Sequence, residues 1–214
     1  MVEVIDIRMM QGKAMLTLSD NTVVKIPYAL YRNNKYRLGD SFDMEAHLRY
    51  VGEKAYAAAM EKAVKLLSLR EMTQDTIANK LRTAWYDEET IARVMQMLTN
   101  YRLVDDARYA SMYVASRSKK YGSNRVKMEL RNKGVDADLI AKELENIDTE
   151  SECALALRHA TKLVKNKEKN QKNMHNAMAS LIRKGFSFSI AKEALQTAFQ
   201  DAVDFDSLTE EVDY

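Results

Sequence analysis

The most informative segment of this chain is Leu103-Val104-Asp105-Asp106-Ala107-Arg108-Tyr109-Ala110, with its continuation to Gly134. A carboxylate at Asp105 or Asp106 can accept hydrogen bonds from the free amides of a first helical turn, where negative charge also complements the helix dipole. A basic turn follows around Gly122, and Gly134 is suited to end a second helix. The stretch therefore predicts two capped helices joined by a basic turn.

The end of this stretch recurs on both sides. Residues 81–85 read Leu-Arg-Thr-Ala-Trp, residues 130–134 read Leu-Arg-Asn-Lys-Gly and residues 181–185 read Leu-Ile-Arg-Lys-Gly, at spacings of 49 and 51. Two residues after each segment stands a residue that can cap a further helix, namely Asp87, Asp136 and Ser187. A period of about fifty residues suits three helices. The sequence therefore predicts tandem three-helix repeats in an elongated, curved array.

The first 45 residues have a different pattern. Short apolar runs are separated by turn residues at Gly12 and at 19–22, and they stop at Pro27, which has no amide to donate. This pattern predicts a three-stranded meander, whose apolar face needs a cover. We expect the module either to pack on the helical body or to be joined to it by a short link near residues 44–52. The predicted fold is mainly α, with a small N-terminal β module.

These patterns define five segments. The β module takes residues 1–45, the repeats take 53–104, 105–148 and 149–200, and an acidic tail expected to be flexible takes 201–214. Within the third repeat, five lysines predict a loop or a frayed helix end: Lys162, Lys165, Lys167, Lys169 and Lys172.

Further helix starts are predicted at Thr73, at Ser123 and at Thr149, which forms a capping-box pattern with Glu152. Tyr109, Met112 and Tyr113 lie at helical spacing and predict one apolar stripe. Stacking on nucleic-acid bases is the alternative interpretation for four tyrosines, namely Tyr101, Tyr109, Tyr113 and Tyr121. For the first three the core interpretation is preferred because of their helical spacing.

The composition argues against several classes of protein. The chain lacks a long apolar run and a basic leader, so we expect a cytoplasmic protein without a membrane span. The single cysteine, Cys153, is expected to be structural, and the three histidines are too far apart in sequence to indicate a metal site. The six glycines form no phosphate-binding loop. We therefore expect no cofactor, no metal and no enzymatic activity.

The charge distribution carries the functional information. Residues 102–133 hold nine bases and three acids, although the whole chain has a net charge of only +2. Clustered basic side chains bind phosphates or acidic protein surfaces with an affinity that falls with salt. The alternative interpretation is that these side chains only form a solvated helix face. The candidate binding residues are Arg117, Lys119, Lys120, Arg125, Lys127, Arg131 and Lys133.

The residues from Leu103 to Val135 resemble the signature of the RecX regulatory proteins. The resemblance implies a chain of three-helix units that modulates the RecA recombinase in recombination and DNA repair, commonly by binding in the groove of the RecA filament on DNA and inhibiting ATPase and strand exchange. Two positions depart from the family pattern. Ser123 stands where proline is usual, and Trp85 stands where the first repeat usually has glycine.

Two functions remain open at this point. The first is a RecA regulator, expected to be a monomer, that contacts the filament and its DNA through the basic residues with weak sequence preference. The alternative is a transcriptional regulator built on helix-turn-helix-like units, which would place a helix in a DNA groove and prefer one duplex sequence. Random-site selection on duplex DNA would separate the two.

Overall fold

The computed structural model describes residues 2–34, 36–165 and 170–199, and the chain divides into two compact units between Asp106 and Ala107. The first unit contains a small sheet, a short helix and the first repeat. Its elements are β1 (Val2–Met10), β2 (Lys13–Leu18), β3 (Val23–Pro27), α1 (Tyr28–Asn34), β4 (Ser41–Phe42), α2 (Met44–Leu69), α3 (Gln74–Thr83) and α4 (Glu88–Asn100).

The sheet is antiparallel with the strand order β3-β2-β1-β4. Buried and half-buried residues alternate along β2, as expected for a strand with one covered face. The meander of the first three strands was predicted, whereas β4 was missed. Two residues are too few to show an alternating pattern, and β4 is held by pairing Phe42 with Val2 and Ser41 with Glu3.

Helix α2 begins at Met44 because the Asp43 carboxylate accepts from the amides of Glu45 and Ala46 at 2.9 and 3.1 Å. The expected link at residues 44–52 is therefore wrong, since these residues form the first turns of this helix. Ala55, Ala59 and Ala63 are buried along one face of α2. The strands, α1 and the first repeat contribute to one hydrophobic core, which explains how the small sheet is covered.

The second unit contains the other two repeats. Their helices are α5 (Asp106–Arg117), α6 (Ser123–Arg131), α7 (Ala137–Glu145), α8 (Thr149–Val164), α9 (Gln171–Arg183) and α10 (Phe188–Phe199). The second repeat packs around Val126, Leu130 and Ile140, and the third around Leu181 and Phe186. The predicted fold class, mainly α with three-helix repeats and a small N-terminal β module, is confirmed.

The repeated turn before the third helix of each repeat has the predicted caps. Asp87 accepts from the Thr90 amide at 2.8 Å, Asp136 from the Asp138 amide at 2.9 Å, and Ser187 from the Ile190 amide at 3.2 Å. In each of the three turns, the residue two positions before the cap has a left-handed backbone, with φ of 68° at Trp85, 74° at Gly134 and 93° at Gly185.

Two predicted caps are wrong. Ser123 is the first residue of α6, and the capping position is held by Gly122, which has no side chain to offer. Thr149 is likewise the first residue of α8, whose cap is Asp148. The expected capping box does not form because the Glu152 carboxylate accepts from the Ser123 amide of another helix.

Other predictions have mixed outcomes. Tyr109 and Tyr113 pack against the core of the second repeat, whereas Tyr101, which follows α4, and Met112 on α5 are exposed. Cys153 is half-buried. Of the five lysines in the third repeat, Lys162 lies in α8, Lys165 ends it and Lys172 lies in α9, while Lys167 and Lys169 fall outside the described residues. The acidic tail 201–214 also falls outside them. Within the described ranges, no helix combines the length and the apolar character that a membrane span requires.

Candidate anion-binding site

Two of the predicted binding residues are joined through one carboxylate. Arg117, at the end of α5, donates to Glu129 of α6 through Nε at 2.9 Å and Nη2 at 2.6 Å. Arg125, one turn before Glu129 on the same helix, donates to Glu129 Oε1 from Nε at 3.0 Å. Arg117 therefore ties α5 to α6, whereas Arg125 pairs with Glu129 within α6, and one carboxylate offsets part of the charge of both arginines.

The electrostatics of Glu129 follow from these contacts. Hydrogen bonds from Arg117, and then from Tyr113 and Arg125, outweigh the effect of burial and lower the pKa of Glu129 to about 2. Burial, together with the hydrogen bond to Glu129, raises the pKa of Tyr113 to about 12. Glu129 is thus ionised over the physiological pH range and fixes both arginines.

Aromatic rings organise the cations around this carboxylate. The guanidinium carbons of Arg117 and Arg125 lie 4.3 and 4.0 Å from the centroid of Tyr121, and Lys184 Nζ lies 5.9 Å from the same ring. Lys133 Nζ lies over Tyr113 at 5.5 Å. A ring face attracts cations, so these tyrosines determine where the charges are placed.

A close backbone approach brings the second and third repeats together beside Tyr121. The Gly122 amide donates to the Lys184 carbonyl at 3.0 Å, and the Asn124 amide donates to the Gly185 carbonyl at 3.1 Å. A Cβ atom on Gly122 would lie 2.4 Å from the carbonyl carbon of Gly185, which no neighbouring backbone can accept. Glycine is needed here because the two turns touch.

This approach creates a cleft of about 400 Å³, which we call the basic cleft. It combines residues from the turn after α5, from α8 and from the turn after α9. Its lining residues are Lys119, Lys120, Tyr121, Leu155, Arg158, His159, Lys162 and Lys184. The lining contains five cationic side chains and no carboxylate. Among the described residues none of these five cations forms an ion pair, so they remain available to an anion.

The titration of His159 reflects the positive field of the cleft. Burial lowers the pKa of the imidazole, and the charges of Lys184, Lys162 and Arg158 lower it further, against a hydrogen bond with the Lys120 backbone that raises it. The neutral imidazole is therefore favoured, and its buried Nε2 has no hydrogen-bond partner within the described part of the chain. Such a field favours phosphate or carboxylate ligands and repels metal cations.

The seven predicted residues do not form one surface. Lys119 and Lys120 line the basic cleft. Arg117, Arg125 and Lys133 are half-buried against tyrosines. Lys127 and Arg131 are exposed on α6 one turn apart, and helical geometry places them on a different face from Arg125 and Glu129. The assignment of binding to these seven residues stays a prediction.

Three cations of the cleft were missed by sequence reasoning, and two signals could have found them. Arg158 and Lys162 lie four residues apart on α8 and therefore share a face. Lys184 precedes Gly185 as Lys133 precedes Gly134, so the repeat alignment makes the two lysines equivalent. That the turn after α5 packs against the third repeat is not visible in the sequence.

Comparisons with known proteins agree with this architecture. A family model described as "RecX, second three-helix domain" matches residues 105–144. The chain is 30% identical to Regulatory protein RecX of Clostridium botulinum over 185 residues, which cover 85% of this chain and 87% of the relative. It is 31% identical to Regulatory protein RecX of Clostridium perfringens over 150 residues, which cover 68% and 71% of the two chains.

Two crystal structures have a similar fold. One is described as regulatory protein RecX and matches with a TM-score of 0.63 and 21% identity, covering 92% of this chain and 100% of that one. The other, RecX from Lactobacillus salivarius, matches with a TM-score of 0.61 and 23% identity, covering 68% and 97%. At these identities the likeness shows the fold alone.

Proposed function

Because this chain belongs to the RecX family of regulatory proteins, we propose that it binds the RecA recombinase filament on DNA and inhibits its ATPase and strand exchange. The proposal places the protein in the cytoplasm as a monomer that acts by binding, without catalysis of its own. Direct contact with the DNA of the filament, with weak sequence preference, is part of the proposal.

The observation that carries the proposal is the basic cleft. A RecA filament on DNA presents rows of phosphates, and five unpaired cations without a carboxylate among them suit such a polyanion. The cleft is built from two repeats, since Lys120 lies in the turn after α5 and Arg158 lies on α8. Binding to phosphates by lysine and arginine alone reads no base sequence.

The experiment is a titration of the DNA-dependent ATPase of RecA with the purified protein. We expect the rate of ATP hydrolysis to fall as the protein is added. The protein concentration needed for half-maximal inhibition should rise with salt, because counterions compete for the cleft. Filament binding is measured in parallel by co-sedimentation. An unchanged ATPase rate together with absent co-sedimentation at low salt contradicts the proposal.

Sequence preference provides a second readout. Selection from random duplexes is expected to recover no enriched motif, because the cleft offers charges rather than side chains placed to read base edges. Recovery of one strongly preferred duplex, in the absence of RecA, would favour the helix-turn-helix-like transcriptional regulator instead. The two functions therefore predict opposite results in the same assay.

A further inference from the structure

A second cleft, which we call the Trp85 groove, lies in the first unit and has a volume of about 310 Å³. Strand β3, one side of α2 and the turn between α3 and α4 line it. Most of its lining is apolar. Three large apolar side chains of this lining are unusually exposed, with exposed fractions of 49% for Val23, 39% for Met44 and 61% for Leu48. These three side chains line the same groove, so their exposed apolar surface is available to a ligand there.

The backbone at one end of the groove is strained. Trp85 has a φ of 68°, in the left-handed region that residues other than glycine rarely adopt. The equivalent turns of the other repeats place Gly134 and Gly185 at this position. The first repeat therefore retains a bulky residue where glycine would relieve the strain. Strain of this kind, once observed, points to a role for the side chain that imposes it.

Two lysine ammonium groups lie close to the indole ring of Trp85. Lys13 Nζ lies 4.5 Å from the ring centroid of Trp85 and Lys25 Nζ lies 5.6 Å from it. Among the residues that the structure describes, neither lysine has an ion-pair partner. The ring attracts both ammonium groups, which concentrates two positive charges at the end of an apolar groove.

Two other ionisable groups of the groove, Asp87 and His47, are already engaged. The Asp87 carboxylate caps α4 by accepting from the amide and the hydroxyl of Thr90, both at 2.8 Å. The imidazole of His47 is hydrogen-bonded with the Tyr36 hydroxyl at 2.6 Å. A ligand therefore meets apolar side chains along the groove and free positive charge only at its rim.

The sheet adds a third feature. Strand β3 is at the edge of the sheet, where β2 is its one paired strand among the described residues, and four residues between Val23 and Pro27 line the groove. An edge strand offers unpaired backbone groups to an added strand. Successive side chains of an added strand would point alternately into the groove and away from it.

We propose that the Trp85 groove binds an extended segment of a partner protein in which apolar and acidic side chains alternate. The segment lies along β3, its apolar side chains fill the groove beside Leu48 and Trp85, and its carboxylates meet Lys13 and Lys25. A nucleic acid fits less well, because the groove is apolar and contains the Asp87 carboxylate. This groove belongs to the first unit, so the proposal does not depend on the regulation of RecA.

The single tryptophan of the chain makes the test direct. Trp85 emission is recorded while the full-length protein is titrated with a short synthetic peptide, blocked at both ends, that alternates aspartate with phenylalanine, leucine and valine. We expect a saturable blue shift, because the peptide removes water from the indole. A peptide with lysine in place of each aspartate, and an oligothymidylate, are expected to produce no saturable change.

A matched pair of variants locates the binding. Leu48→Glu places a carboxylate in the groove and is expected to weaken peptide binding by at least about tenfold, since it removes apolar contact and repels the aspartates. Leu38→Glu adds the same charge at a residue that is 66% exposed and outside the groove, and is expected to leave affinity unchanged.

Several results would overturn the proposal. These are an absence of saturable change with the acidic peptide, an equal response to the lysine peptide, a stronger response to the oligothymidylate, and equal affinity of the Leu48→Glu and Leu38→Glu variants. A shift of the Trp85 emission with protein concentration, in the absence of peptide, would show that a second copy covers the groove. That result would also overturn the proposal.

Discussion

The main-chain amide of Ser123 donates to Oε1 of Glu152 at 2.7 Å, so a side chain of the third repeat caps a helix of the second. Gly122, at the capping position of α6, has no side chain for this purpose. The same arrangement occurs earlier in the chain, where the Asp106 carboxylate, in the first turn of α5, accepts from the amide of Gln74 at 2.9 Å. In both places a carboxylate from a later part of the chain accepts from the amide of the first residue of a helix.

Removal of this contact should cost stability. Glu152 is buried, and Glu152→Ala leaves the Ser123 amide without its acceptor, so we expect the free energy of unfolding to fall by about 1–2 kcal/mol. Glu150→Ala removes an exposed carboxylate from the same helical turn and should change it by less than about 0.5 kcal/mol. Urea unfolding followed by circular dichroism measures both. Equal effects of the two substitutions would contradict a structural role for Glu152.

The Glu129 cluster predicts acid sensitivity. The folded-state pKa of about 2 lies below the ordinary value of 4.5, so the contribution of Glu129 to stability is complete above pH 4.5 and is lost as the pH falls towards 2. Its side chain is 18% exposed, and we expect Glu129→Gln to lower the free energy of unfolding at neutral pH by at most about 3 kcal/mol. The difference between the wild type and this variant should shrink with acidification. Urea unfolding at stepwise lower pH tests this, and a constant difference would contradict it.

The contact between two turns predicts opposite effects of the same substitution at two glycines. Gly122→Ala places a Cβ atom against the backbone of Gly185 and should lower the free energy of unfolding by about 1–3 kcal/mol. Gly52→Ala, inside α2 with open space around it, should raise that energy by about 0.5–1 kcal/mol because alanine favours helix. Thermal and urea unfolding of both variants give the comparison. A stabilised Gly122→Ala variant would show that the two turns do not touch.

The basic cleft predicts a specific loss of filament binding. A triple variant with Lys119, Lys120 and Lys162 each replaced by Gln should bind RecA filaments at least about tenfold more weakly and lower the slope of log affinity against log salt by about three. These side chains are exposed, so helical content should be unchanged. Fluorescence anisotropy across a salt series provides the measurement.

The matched control removes the same charge elsewhere. Lys54, Lys65 and Lys142 are also exposed and lie outside the cleft, and their replacement by Gln should leave the affinity close to that of the wild type. Similar losses in the two triple variants would mean that net charge, rather than the cleft, governs binding.

Much of the fold could be predicted from local pattern. The recurring turn before Asp87, Asp136 and Ser187 has the same cap and the same left-handed backbone each time, because both depend on a few neighbouring residues. Strand β4 and the first turns of α2 could not be predicted so well. Strand β4 exists because Phe42 pairs with Val2. Helix α2 begins at Met44 because Asp43 caps it, in a segment without strong periodicity.

The amino-acid sequence was enough to predict the class of fold, the repeats, the caps of their third helices and the excess of positive charge around Gly122, because these features are local in the chain. The contacts that each charged side chain makes depend instead on the tertiary structure. It placed Glu129 between Arg117 and Arg125, and it brought Lys184 beside Lys120 through the backbone contact of two glycine turns. Contacts between residues far apart in sequence depend on how helices pack, and composition and periodicity do not encode that directly.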